Sequence, residues 1–346
     1  MSGDVLRNGT RAGCGGINMN FTHSLLPPVF VIVFVVGTLA NVWGLRSVCV
    51  SWKNIGSINV FMLNLGLADL LYLSTLPFLV RYYATNSLWE FGQPFCKITR
   101  FCFNLNLYGS IGFLTCISIY RYLGIVHPMR VMGKIRTRHS AAISALVWAL
   151  VVIQILPDMF FEKNDHSKPL SCFDTTSNNL TEAYLTYSLA WTATGFALPL
   201  LIILVCYGHI VVVLSRKSGV NPLLKQRSLK LVVILVILFS TCFIPYHVLR
   251  NLNLRTRILK LDGICRRSFD HIYLAHQVGR CLACLNSAIN PLIYIVGNDH
   301  FLLKLHSFSQ RTRQSLSSLT GTVIYRKAVE VDTRMDTRVT MVQVGE

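Results

Sequence analysis

Residues 28–50 read Pro-Val-Phe-Val-Ile-Val-Phe-Val-Val-Gly-Thr-Leu-Ala-Asn-Val-Trp-Gly-Leu-Arg-Ser-Val-Cys-Val, with no charged side chain before Arg46. A helix needs about 20 predominantly apolar residues to cross a hydrocarbon core of about 30 Å, and this stretch supplies them. Working outward, six more such runs lie at 57–80, 98–126, 140–161, 183–214, 229–249 and 271–296. Lipid offers backbone N–H and C=O groups no partner, so each run must be a helix. The fold class that follows is an all-α membrane protein, a seven-transmembrane helix bundle. The polar residues inside the runs mark the interior of that bundle.

Composition supports the same class. The chain of 346 residues is 52% hydrophobic and 14% charged, where a soluble domain carries about 25% charged residues. Its mean hydropathy is +0.49. Such a chain cannot cover a water-facing surface, and it is too apolar to stay disordered. The 33 Lys and Arg against 15 Asp and Glu give +18, which in an apolar chain points to membrane-flanking loops before nucleic acid. With the N-terminus outside, the cytoplasmic loops and tail hold 19 bases and 5 acids, and the outer segments hold 14 and 9. That bias obeys the positive-inside rule and predicts a multi-pass protein of the plasma membrane. Seven outer bases nevertheless crowd into the 31 residues from Arg250 to Arg280.

The expected organisation is an extracellular N-terminus at 1–27, the bundle at 28–297, a short amphipathic cytoplasmic helix at 298–309 and a disordered tail at 310–346. Ser315, Ser317, Ser318 and Thr320 in that tail are candidate phosphorylation sites. The sequons at Asn8, Asn20 and Asn179 all fall on the outer side. So do Cys14, Cys96, Cys172 and Cys265, an even number in an oxidising compartment. Four cysteines allow three connectivities, and spacing does not choose among them. Enzyme readings lack support: no P-loop, His-Glu-x-x-His or Gly-x-Ser-x-Gly pattern occurs. No internal symmetry suggests a transporter.

Several motifs occur in order and at consistent spacing: Gly37-Thr-Leu-Ala-Asn41, Leu65-Gly-Leu-Ala-Asp69, Cys96 followed by Tyr120-Arg121-Tyr122, Trp148, Pro199 with Tyr207, Phe239-Ser-Thr-Cys242-Phe243-Ile-Pro245, and Asn290-Pro291-Leu-Ile-Tyr294. Together they resemble a rhodopsin-like (class A) G-protein-coupled receptor over nearly the whole chain. Finer stretches resemble the purinergic nucleotide receptors, most of all the adenine-nucleotide (ADP or ATP) branch. These are Cys96-Lys-Ile-Thr-Arg100, Asn106-Leu-Tyr108-Gly-Ser110, Cys172-Phe-Asp174-Thr-Thr176, His247-Val-Leu-Arg250, Asn253-Leu-Arg255 and Gln277-Val-Gly-Arg280. The resemblance implies disulfides Cys96–Cys172 and Cys14–Cys265. It also implies an allosteric sodium ion at Asp69, Ser110, Asn286, Ser287 and Asn290, and a switch at Arg121, Tyr207 and Tyr294. The implied partners are an extracellular nucleotide, a heterotrimeric G protein of the Gq type acting through phospholipase C and calcium release, and arrestin.

The residues themselves suggest the ligand. His247 and Arg250 share a helix face, as do Tyr273, Gln277 and Arg280, while Arg100 lies one turn past Cys96 and Tyr108 two turns deeper. Three arginines from three helices thus aim toward one outer cavity, with Asp174 available to pair with one. An arginine inside a bundle needs an anionic partner, and guanidinium forks suit phosphate oxygens. Tyr82, Tyr83, Tyr108 and Tyr273 could contact a base and ribose, though Tyr82 and Tyr83 equally suit anchoring at the lipid interface. An alternative ligand is a dicarboxylate. The chain departs from the family pattern at Tyr120, which replaces the usual acid beside Arg121. It departs again at Phe243, where the wider class has tryptophan, and at Asn290, where many purinergic receptors have aspartate.

Overall fold

The computed structural model describes residues 20–50, 56–127, 136–163, 170–172, 175–216 and 222–293. The expected amphipathic helix and tail, together with Asn8, Cys14, Asp174 and Tyr294, lie outside the described residues.

Helix α1 spans Asn20–Val50 and so begins eight residues before the apolar run. Thr22, Leu26, Phe30 and Val33 recur at helical spacing and are all buried, which carries the helix past Pro27 and Pro28. Helix α2 consists of Ser57–Leu73 and Leu76–Ala84. Pro77 supplies no N–H at the join. The hydroxyls of Thr75 and Ser74 donate back to the Tyr72 and Leu71 carbonyls, each at 2.7 Å, and satisfy that turn. Helix α3 is Gln93–Val126. Helix α4 is Thr137–Ile155 and tightens into a 3₁₀ turn, Leu156–Met159, around Pro157. Helix α5 joins Thr181–Thr192 to Leu198–Arg216 through a π turn at Ala193–Ala197. Helix α6 joins Pro222–Leu238 to Ile244–Leu261 through a π turn at Phe239–Phe243, just before Pro245. A widened turn there is one way a helix absorbs the donor that proline lacks. Helix α7 is Ser268–Ile289.

Six of these helices are long and apolar enough to cross a membrane. The seventh, α7, has 22 residues, about 33 Å of helix, but its composition is diluted by His276, Gln277, Arg280 and Asn286. Those four side chains are almost wholly buried, because α7 packs on α1 and α6. The bundle is inside-out relative to a soluble protein. Leu39, Ile153 and Val205 are 69%, 68% and 71% exposed, while Asn41, Asp69, Ser110 and Asn290 are fully buried. Apolar side chains spread over the outside at this density require lipid around them.

Candidate functional site

At one end of the bundle, Cys96 in the first turn of α3 is bonded to Cys172, with Cα atoms 5.8 Å apart across 76 residues of sequence. Three further contacts tie the Cys172 loop to the ends of α2 and α3 and to the segment between them. The Cys172 N–H donates to the Tyr82 hydroxyl (3.3 Å), the Trp89 N–H to the Leu170 carbonyl (2.7 Å), and Arg100 Nη2 to the Cys172 carbonyl (2.9 Å). Tyr82 and Tyr83 are therefore interior residues and not anchors at the lipid interface; both are buried, with ring centroids 4.7 Å apart. Cys265 is also disulfide-bonded, and its expected partner Cys14 lies outside the described residues. Asn20 and Asn179 are exposed, as a glycan acceptor must be.

Beneath this loop the arginines form two clusters. In the first, Arg280 of α7 donates Nη1 to the Tyr83 hydroxyl and to Gln277 Oε1, both at 2.9 Å, and Arg100 of α3 reaches the same Tyr83 hydroxyl at 3.5 Å. The Arg280 guanidinium lies 5.5 Å from the Tyr83 ring centre. Two cations from different helices thus converge on one neutral oxygen. Tyr273, half-buried, stands one turn above Gln277 on the same face.

In the second cluster, Arg250 of α6 lies 4.5 Å over the Trp191 ring, which itself stacks on Tyr108 at 4.5 Å. Its Nη2 donates to the Tyr184 hydroxyl at 2.9 Å and its Nη1 to the Tyr108 hydroxyl at 3.5 Å. Arg250 Nε is buried and has no hydrogen-bond partner among the described residues. One turn away, His247 stacks on Phe196 at 4.3 Å, and neither of its ring nitrogens has a partner there.

Sequence reading missed the acid of this cluster. Asp158, in the 3₁₀ turn ending α4, is 1% exposed. Its Oδ1 accepts from Lys163 Nζ and the Tyr184 hydroxyl, both at 2.8 Å, and its Oδ2 accepts from Asn104 at 3.3 Å. Lys163 also donates to the Thr175 carbonyl. Burial pushes the Lys163 ammonium below its ordinary range, with the Asp158 carboxylate opposing that shift. The available signal was an acid inside an apolar run, five residues before a lysine.

Deeper in the bundle, both Asp69 oxygens accept hydrogen bonds. Asn106 Nδ2 donates at 2.7 Å, and Asn290 Nδ2 lies 3.1 and 3.0 Å from the two oxygens. Ser287 is tied to Asn106, and Ser110 to Asn290. The Asn286 side-chain amide and Asn290 Oδ1 are buried with no partner among the described residues. The orphaned Asn290 amide oxygen, on a side chain bonded to the Asp69 carboxylate, and the neighbouring serine hydroxyls are hard oxygen donors of the kind that fit a small cation. Arg121, half-buried, lies in the last two turns of α3, and Tyr207, buried, lies in the second half of α5.

Residues 40–294 match the family model of the 7 transmembrane receptor (rhodopsin family). The chain belongs to the rhodopsin-like family of seven-transmembrane receptors. Among curated relatives, this receptor is 38% identical to purinoceptor 1 of Gallus gallus over 320 residues, covering 90% of this chain and 87% of the relative. It is 39% identical to purinoceptor 1 of Homo sapiens over 305 residues, covering 87% and 81%. It is also 36% identical to 2-oxoglutarate receptor 1 of Rattus norvegicus over 289 residues, covering 83% and 85%. These relatives are receptors, so the chain is a receptor and not an enzyme.

Proposed function

We propose that this receptor is activated by extracellular nucleotides, ADP or ATP foremost, and signals through a Gq-type heterotrimeric G protein, phospholipase C and calcium release. The observation that carries the reading is the convergence of Arg100 and Arg280 on the single Tyr83 hydroxyl. Two guanidinium groups from different helices within reach of one point can hold adjacent phosphate groups with paired, charge-assisted hydrogen bonds. Tyr108, Trp191 and the unpartnered ring nitrogens of His247 supply an aromatic, hydrogen-bonding wall for a base and ribose. The likeness to purinoceptor 1 supports the same ligand class. In this reading the N-terminus and the disulfide end face outward. Asp69, Ser110, Asn286, Ser287 and Asn290 hold a sodium ion, and Arg121, Tyr207 and Tyr294 form the switch at the inner end. G protein and, after tail phosphorylation, arrestin dock there.

A dicarboxylate is the second reading. The Asp158–Lys163 pair is neutral as a unit, which leaves Arg250 as the one net charge of its cluster among the described residues and suits a less highly charged ligand, and one relative is a 2-oxoglutarate receptor. A calcium-release assay with ADP, ATP, UDP, UTP, 2-oxoglutarate and succinate separates the two. Responses to the adenine nucleotides at the lowest concentrations are expected. A response to the dicarboxylates alone would overturn the nucleotide reading.

A further inference from the structure

The Arg250 cluster contains a charged relay that reaches from α6 through Tyr184 of α5 into the end of α4. Tyr184 has one hydroxyl hydrogen, and it is given to Asp158 Oδ1 at 2.8 Å. The hydroxyl can therefore only accept from Arg250, which it does from Nη2 at 2.9 Å. Asp158 cannot turn away, because Lys163 and Asn104 hold its two oxygens and the whole group is buried. Lys163 is held in turn by the Thr175 carbonyl and lies 5.1 Å from the Tyr184 ring centre. One face of the Arg250 guanidinium is covered by Trp191 at 4.5 Å, and Nη2 is committed to Tyr184. Tyr184 takes one of the two Nη2 hydrogens, so what remains for an anion is one forked edge, made by the other Nη2 hydrogen with either Nε, which has no partner among the described residues, or the weakly engaged Nη1, which sits 3.5 Å from Tyr108.

We infer that Asp158, acting through the Tyr184 hydroxyl, is a positioning residue that fixes which edge of Arg250 meets the anionic ligand. The Asp158–Lys163 ion pair is the fixed end of that relay. This inference rests on the reading of Arg250 as a ligand contact, and it holds for any anionic agonist. Without the carboxylate, Tyr184 is free to rotate its hydrogen toward Arg250, which expels Nη2 and turns the guanidinium out of register. A buried guanidinium a fraction of an ångström out of place loses bidentate geometry, which lysine-like point charges do not need.

The test is a set of double-mutant cycles in cells at matched surface expression, read as agonist potency with ADP. Removing Asp158 alone strands the Lys163 charge in the interior and risks misfolding. The relay is therefore cut in two milder ways: Tyr184→Phe, which leaves the ion pair intact, and the double variant Asp158→Leu/Lys163→Met, which removes both charges and the acceptor for the Tyr184 hydroxyl. Each is expected to raise the half-maximal concentration about tenfold. Neither should add to Arg250→Ala, and both should multiply with Arg280→Ala, which belongs to the other cluster. A purely structural role would add to both arginine variants alike. A shift that persists in the Arg250→Ala background, or a Tyr184→Phe receptor of wild-type potency, overturns the relay. If the wild type ignores nucleotides and answers a dicarboxylate, the nucleotide reading falls. The same cycles run with that dicarboxylate then decide the relay by the same criteria.

Discussion

At the scale of single residues, the two arginine clusters make different demands. Arg280 and Arg250 each hold a buried position through hydroxyl partners. Replacing either by alanine is expected to raise the half-maximal agonist concentration at least tenfold, about 1.4 kcal/mol. Lysine at either position should recover only part of that, because an ammonium cannot fork. Dose–response curves at equal surface density check both, and unchanged potency in both alanine variants would refute the anion clamp. Tyr120 bears on the opposite end of α3. A carboxylate at position 120, beside Arg121, would add a pairing typically worth roughly 0–1 kcal/mol when exposed. Tyr120→Asp should therefore lower ligand-free signalling and modestly lower agonist potency. Ligand-free second-messenger output plotted against receptor density measures this, and equal or higher output in the variant would show that Tyr120 does not loosen the lock.

At the scale of elements, covalent and steric ties place the site. Cys96→Ser and Cys172→Ser should reduce surface expression equally, and the double variant should be no worse, because each removes the same bond between α3 and its loop. Fully additive losses, counted by surface antibody labelling, would contradict a shared bond. The π turn of α5 is a second tie. A Cβ added at Gly195 would sit 2.6 Å from Gln154 Nε2 and 2.7 Å from Tyr108 Cδ1. Gly195→Ala should cost about 1–3 kcal/mol through overpacking and lower both the melting temperature of the purified receptor and its potency. An unchanged melting curve would mean that the Tyr108 ring slides aside freely. Elements were the most legible level of the sequence. Run length and hydropathy located all seven helices, because a bilayer imposes one length on every span. Their ends were less legible. α1 starts early because buried Thr22 and Leu26 extend its inner face, and α6 runs on to Leu261 because Arg250 and Asn253 are buried and Arg257 is bonded to Thr175, Thr176 and Asn178. The positions of Arg100, Arg250 and Arg280 could be read from helical spacing within each run. Asp158 could not, since its partners Lys163, Tyr184 and Asn104 sit on a loop and two other helices, and no periodicity encodes a contact across them.

At the scale of the whole molecule, the polar core around Asp69 couples α2, α3 and α7 through Asn106, Ser287 and Asn290. If sodium sits there, it favours the arrangement in which those helices stay together. Replacing sodium by choline should then raise ligand-free signalling of the wild type, and Asp69→Asn should abolish that dependence. A sodium effect that survives in Asp69→Asn would place the ion elsewhere. The shape of α6 has a mechanical consequence. On one side of the π turn at Phe239–Phe243 the helix extends to Arg250, and on the other it runs 17 residues back to Pro222. At 1.5 Å per residue the two arms are about 10 Å and about 25 Å long. If α6 turns as a rod about that pivot, it multiplies displacement about 2.5-fold, so a ligand that draws Arg250 by about 1 Å swings the far tip by about 2.5 Å in the opposite sense. On that geometry the same ratio that widens the swing of the long arm reduces the force delivered at its tip, so a shorter outer arm would demand a tighter hold at Arg250 for each ångström of opening.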